Sequence, residues 1–264
     1  MKLEYVPLLQ VQRDLYKMPR GFERFREYIK TMRGSAEDGF ELPLSAMNPM
    51  GKDHLPVFLD GLLGFDADGV AARATADAQS ALRPLHPAPG TAPGTPHHAP
   101  SAQSAAFKVC IVVSDDLKGG WTNRYTSELG YRFEQKAMYR RGWVPAILWT
   151  ADTYTAALVR EEVLACIYRA AWVQIHGYAR TLGEMLAQDG WAATRAGAAA
   201  PVLDDEDLAY TRDVIAPLRE RTDRATITAA LFGDPAAREL GYPPLGLSPR
   251  AGLALARDEA RARV

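Results

Sequence analysis

The chain has 264 residues, of which 47% are apolar, enough for a sizeable core in one large domain or in a domain with an appendage. Its 31 basic and 32 acidic side chains leave a formal net charge of −1, without the basic excess that marks a nucleic-acid binder. The opening MKLEYVPLLQVQRD meets charge too soon for the apolar core of a signal peptide, and no stretch approaches the roughly 20 apolar residues needed to cross a bilayer, so a cytoplasmic protein without membrane contact is expected.

The first 35 residues read as helical. Leu8, Leu9 and Leu15 suggest a short opening helix. In MPRGFERFREYIKTMRG, Pro19 suits a first helical turn, and Phe22, Phe25, Ile29 and Met32 fall on one face, expected to pack on the core. FELPLSA (40–46) reads as a short strand confined to a sheet edge by Pro43. MNPMGKDH (47–54) is a polar loop, and LPVFLDGLL after it a short helix. Asp66 caps the Ala-rich helix that follows. Residues 84–106, PLHPAPGTAPGTPHHAPSAQSAA, are too rich in proline and small polar residues to pack, and predict a flexible insert.

From Phe107 the pattern changes. FKVCIVV is a continuous β-branched run suited to a strand buried on both faces, and WVPAILW (143–149) is a second strand. Between them Tyr125, Leu129, Phe133 and Ala137 form the stripe of one helix, closed by Arg140, Arg141 and Gly142. A long helix follows, with Leu158, Leu164, Ile167, Ala171 and Ile175 as its stripe, ending at His176-Gly177. Thr181 and Glu184 make a capping box for the next helix. DDEDLAYTRDVIAPLRER starts acidic and ends basic, as a helix dipole favours. TITAALF (226–232) fits helix and strand equally. Ser248-Pro249 reads as an N-cap and first-turn proline of the last helix. Cys110 and Cys166 sit inside apolar runs, outside any metal or redox spacing, and read as buried thiols. Together these elements predict an α/β fold: a small parallel or mixed sheet with flanking helices, and helix-rich N- and C-terminal regions. The expected organisation is a helical region with an edge strand (1–83), the insert (84–106), and an α/β core with C-terminal helices (107–264).

The stretch VVSDDLKGGWTNRY carries the strongest chemical signal. Ligands of open α/β sheets gather at the C-terminal ends of the strands, where Asp115 and Asp116 would lie. Gly119 and Gly120 permit a tight turn with exposed N–H groups, Thr122 reads as an N-cap, and a helix start attracts anions. Arg124 can hold two oxygens at once, Asn123 can add a polar contact, and Trp121 is a bulky ring that a plain turn does not require. The two aspartates could serve as bases or as ligands of Mg²⁺. A second loop supplies Asn48, Lys52 and His54, with His54 or Lys52 assisting proton transfer if both loops open on one sheet edge. No phosphate-loop, dinucleotide, zinc-protease or serine-hydrolase motif occurs. The expectation is a protein that binds a small phosphate- or carboxylate-bearing metabolite at 115–124, as a metal-assisted transferase or hydrolase. The alternative is a non-catalytic interaction or assembly protein that uses a helical surface, the stripe Phe22, Phe25, Ile29 and Met32 being the first candidate. Sequence alone leaves both open.

Overall fold

The computed structural model describes residues 1–34, 41–83, 106–117 and 122–263. It is an α/β structure whose elements divide into two compact units, residues 1–115 with 137–163 and residues 116–136 with 164–264. The predicted insert lies, except for Ala106, outside the described residues. The strands on either side of the insert pair in one sheet. Among the described residues no helix is long and apolar enough to cross a membrane.

The first unit is built on a parallel sheet in the order β1 (Leu3–Tyr5), β2 (Phe107–Ser114), β3 (Trp143–Trp149). The β-branched run Val109–Val113 of the central strand is almost wholly buried, which explains its unbroken hydrophobicity. β1 corrects the helical reading of the N-terminus: three residues are too few for an alternation signal. β1 pairs only with Phe107–Val109. Beyond it, the buried Gln12 of α1 (Leu9–Leu15) takes over as the partner of β2. Its amide donates to the Ile111 carbonyl at 2.9 Å and accepts from the Val113 N–H at 2.9 Å, so one side chain satisfies two main-chain groups that a longer strand would have paired.

The segment 40–46 does not form the predicted edge strand. Leu44–Ala46 is a 3₁₀ turn, and the N–H groups of Glu41 and Leu42 both donate to the Met32 carbonyl; Phe40 lies outside the described residues. α2 (Phe22–Arg33) buries Arg24, Tyr28 and Met32, while Phe22 is 69% exposed and Phe25 and Ile29 are half-buried. The predicted stripe is therefore rotated by part of a turn. Two neighbouring faces of this helix both carry large side chains, and the one that buries an arginine does so because main-chain carbonyls receive its guanidinium. α3 (His54–Gly64) and the Ala-rich α4 (Ala67–Leu82) complete this unit's main helices. Asp66 caps α4 as expected, accepting from the Gly69 N–H at 3.1 Å.

The stretch predicted as one helix from Tyr125 to Arg141 is two, α5 (Arg124–Phe133) and α6 (Lys136–Arg140). α7 (Ala156–His176) is buried on every side from Val163 to Ala171, and Leu158 and Ile175 of its predicted stripe are exposed. The second unit's core joins Leu129 and Phe133 of α5 to α8 (Leu182–Ala196), α9 (Asp205–Ile215), α10 (Arg224–Phe232) and α12 (Ala251–Arg261), with α11 (Asp234–Glu239) between the last two. TITAALF is thus helical. The capping box of Thr181 and Glu184 is present. Ser248 does not cap α12; Arg250, at φ +59°, precedes its first residue, and the Ser248 hydroxyl donates to Asp207 at 2.9 Å. Close approach of these helices depends on missing side chains. A Cβ at Gly190 would stand 2.1 Å from the Ala256 carbonyl oxygen, and one at Gly252 2.3 Å from that of Ala230. Cys110 and Cys166 are both buried.

This unit also holds a buried ion network. Glu128 receives Arg132 at 2.7 Å and Arg250 at 2.6 Å, and Asp189 receives Arg132 at 2.7 Å and Arg169 at 2.9 Å. Burial acts to raise both carboxyl pKa values, but the guanidinium groups outweigh it and hold both below the usual carboxylate range.

Candidate functional site

The parallel strands β2 and β3 end in register, Ser114 opposite Trp149. The ladder runs one bond further, from the Thr150 N–H to the Ser114 carbonyl at 3.1 Å. Asp115 and Thr150 therefore leave the sheet side by side at its C-terminal edge, the position where open α/β sheets collect functional groups.

The Asp115 carboxylate is 1% exposed and fully engaged. Its Oδ2 accepts from Asn48 Nδ2 at 2.7 Å. Its Oδ1 lies 2.9 Å from His54 Nε2 and accepts from Thr150 Oγ1 at 3.1 Å. Asn48 is held in this orientation because its own Oδ1 accepts from the Met50 N–H at 3.0 Å, while its main-chain carbonyl takes the Tyr16 hydroxyl at 2.6 Å. His54 is the first residue of α3, and its side chain retains 30% exposure. Its Nδ1 has no hydrogen-bond partner among the described residues.

A buried carboxylate facing Nε2 fixes the imidazole as the Nε2–H tautomer and turns the Nδ1 lone pair outward. Such a pair can divide acid–base work, one group orienting and stabilising charge and the other exchanging the proton. Three predicted residues, Asn48, His54 and Asp115, are thus brought together. Thr150 was missed, although it follows WVPAILW as directly as Asp115 follows FKVCIVVS, and the strand-end rule applied to both strands finds it.

The other predicted residues have different surroundings. Asp116 Oδ2 accepts from Arg124 Nη1 at 3.1 Å, and Arg124 Nε lies 3.5 Å from Glu128, so two carboxylates flank this guanidinium. Thr122 is not the N-cap of α5. Asn123, one residue on and in extended conformation, caps it by accepting from the Thr126 N–H at 3.0 Å, and its amide also donates to Glu239. The Thr122 hydroxyl is buried without a hydrogen-bond partner among the described residues. Lys118, Gly119, Gly120 and Trp121 lie outside the described residues. Lys52 is exposed and lines a cleft beside the start of α3. The two aspartates expected to hold Mg²⁺ are committed to other donors, and among the described residues no group of three His, Cys, Asp or Glu side chains is placed for a metal ion. His176 ends α7 and packs on Trp172 at 4.0 Å between ring centroids.

No family model and no solved structure matches the chain. It is similar to the Bacillus subtilis (strain 168) protein described as uncharacterized protein YjfC, with 35% identity over 74 residues. That stretch is 28% of this chain and spans a quarter, 25%, of the length of the Bacillus protein.

Proposed function

We propose that the chain is an enzyme that performs hydrolysis or group transfer on a small anionic metabolite, with His54 as general acid–base and Asp115 as its orienting carboxylate. The observation that supports this most is the Asp115 carboxylate, buried and held by Asn48 and Thr150 while it faces a half-exposed histidine. In the reaction, Nδ1 of His54 takes the proton of a water or acceptor hydroxyl as its oxygen attacks the substrate. The same nitrogen returns the proton to the departing oxygen, so no net proton stays on the protein. Asp115 holds the ring in place and stabilises the transient imidazolium. No step requires a metal.

The test is turnover of a panel of phosphate and carboxylate esters by the wild type, His54→Ala and Asp115→Asn. The reading expects hydrolysis that drops by about 10²–10⁴-fold in His54→Ala while the chain stays folded. Equal rates in wild type and His54→Ala would overturn it. A second reading, a non-catalytic interaction protein, is favoured by the exposure of Phe22 at 69% and Val57 at 70%. It expects no turnover at all, and loss of a partner on Phe22→Ser.

A further inference from the structure

We propose that the cleft between the α1–α2 connection and residues 51–56 is a binding site for a phosphate group, the anionic part of a phosphomonoester or diphosphate ligand. The cleft has a volume of about 480 Å³, within the usual range for small-molecule sites. It is therefore large enough for a phosphorylated metabolite and not only for a free ion. Its walls carry Lys17, Arg20, Arg24 and Lys52 against a single carboxylate, Asp53.

The charges in this cleft are poorly compensated. Lys17 pairs with Asp14 at 2.6 Å. Arg20 and Lys52 are exposed and make no ion pair among the described residues. Arg24 is the most unusual of the four. It is 7% exposed, yet its guanidinium meets no carboxylate. It donates instead to main-chain carbonyls, through Nε and Nη2 to Met18 at 2.9 and 2.6 Å and through Nη1 to Gly51 at 3.2 Å. Its carbon lies 5.2 Å from the Tyr16 ring centroid. A buried cation that no carboxylate touches is costly, and burial here outweighs the nearby Asp53 carboxylate and lowers the guanidinium pKa. Three of its five N–H groups are used by these bonds, which leaves two for a ligand.

With Lys17 matched by Asp14, and Asp53 offsetting one cation, two positive charges remain. A phosphomonoester carries nearly two negative charges at neutral pH, whereas a carboxylate carries one. The charge surplus therefore favours a phosphate group over a single carboxylate. The cleft wall is also tied to the acid–base pair, since the Tyr16 hydroxyl holds the carbonyl of Asn48, whose amide holds Asp115. This inference rests on the proposed reaction only in taking the bound phosphate for part of the substrate.

The experiment is isothermal titration calorimetry of the whole chain with pyrophosphate and inorganic phosphate, and with citrate as a control for charge alone. Arg20→Ala and Lys52→Ala remove exposed side chains and leave the fold intact, and the double substitution Arg20→Glu/Lys52→Glu reverses the field. The expected result is pyrophosphate binding that weakens by about 10-fold or more in each single variant, from the loss of a charge-assisted contact. It should vanish in the double variant and persist in His54→Ala. Absence of binding by both phosphates at about 10 mM, where even a millimolar site would fill, overturns the proposal. Binding unchanged in the double variant, or citrate binding as tight as pyrophosphate, also overturns it. Loss of turnover in His54→Ala with binding intact separates this site from the reaction, so the two readings fail independently.

Discussion

Removing the Asp115 carboxylate should destabilise the chain far more than removing the histidine it orients. Two of its three donors, Asn48 and Thr150, are themselves buried at 4% and 8% exposure. In Asp115→Ala they lose a charged acceptor and water cannot replace it. Hydrogen bonds to charged groups contribute about 1.5–3 kcal/mol each, and orphaning a buried donor costs a further part of that range. The expected loss is about 3–5 kcal/mol, a large share of a typical domain's total stability. Asp115→Asn keeps the shape, but its amide must set an NH₂ either against Asn48 Nδ2 or against His54 and Thr150. Asn48 cannot turn its oxygen inward without giving up the Met50 N–H, so the expected cost is about 2–3 kcal/mol. His54→Ala should cost under about 1 kcal/mol, because at 30% side-chain exposure its place on Asp115 is open to water. Urea unfolding followed by circular dichroism, with linear extrapolation, measures all three. A His54→Ala cost equal to that of Asp115→Ala, or an Asp115→Ala cost below about 1 kcal/mol, would refute the view that the carboxylate is the structural centre of this cluster.

Other consequences follow from the same geometry. Gln12→Leu leaves the Ile111 carbonyl and the Val113 N–H buried without a partner, and should cost about 2–4 kcal/mol in the same urea assay; a near-neutral result would mean that water reaches the edge of β2. Gly190→Ala drives a Cβ into the Ala256 carbonyl and should lose about 1–3 kcal/mol, read as a lower melting temperature. Glu128 has a depressed folded-state pKa, so its stabilising contribution is full above the ordinary carboxylate range and is lost as pH falls through the folded value. The stability gap between wild type and Glu128→Gln should therefore narrow below about pH 4; a gap constant from neutral to acid pH contradicts the network as drawn.

The parts of the fold that were legible in the sequence are those with a local physical signature. The unbroken β-branched run of β2, the capping box at Thr181 and Glu184, and the Asp66 cap each state their structure within a few residues. β1 has only three residues and owes its strand state to Phe107–Val109, more than a hundred positions away, so no local pattern carries it. The face of α2 was misread because burial of Arg24 depends on carbonyls at Met18 and Gly51, and helical spacing records apolar side chains only. The helix predicted across 125–141 breaks where the side-chain amide of Gln135 and the N–H of Glu134 both turn back to the Gly130 carbonyl. Of the site, Asn48, His54 and Asp115 were reachable from loop composition and the strand-end rule. The basic cleft was not, since Lys52 and the stretch holding Lys17, Arg20 and Arg24 are brought together only by tertiary packing.

The most direct test of the account is the protonation state of the His54 ring, read by long-range ¹H–¹⁵N NMR and assigned by the signal lost in His54→Ala. The account predicts that the neutral ring is a single Nε2–H tautomer, held by the 2.9 Å contact to Asp115. In Asp115→Asn that preference should relax to an exchanging mixture of tautomers. A wild-type ring protonated at Nδ1 alone, or a mixture that Asp115→Asn leaves unchanged, would contradict the claim that Asp115 sets His54 up for proton transfer.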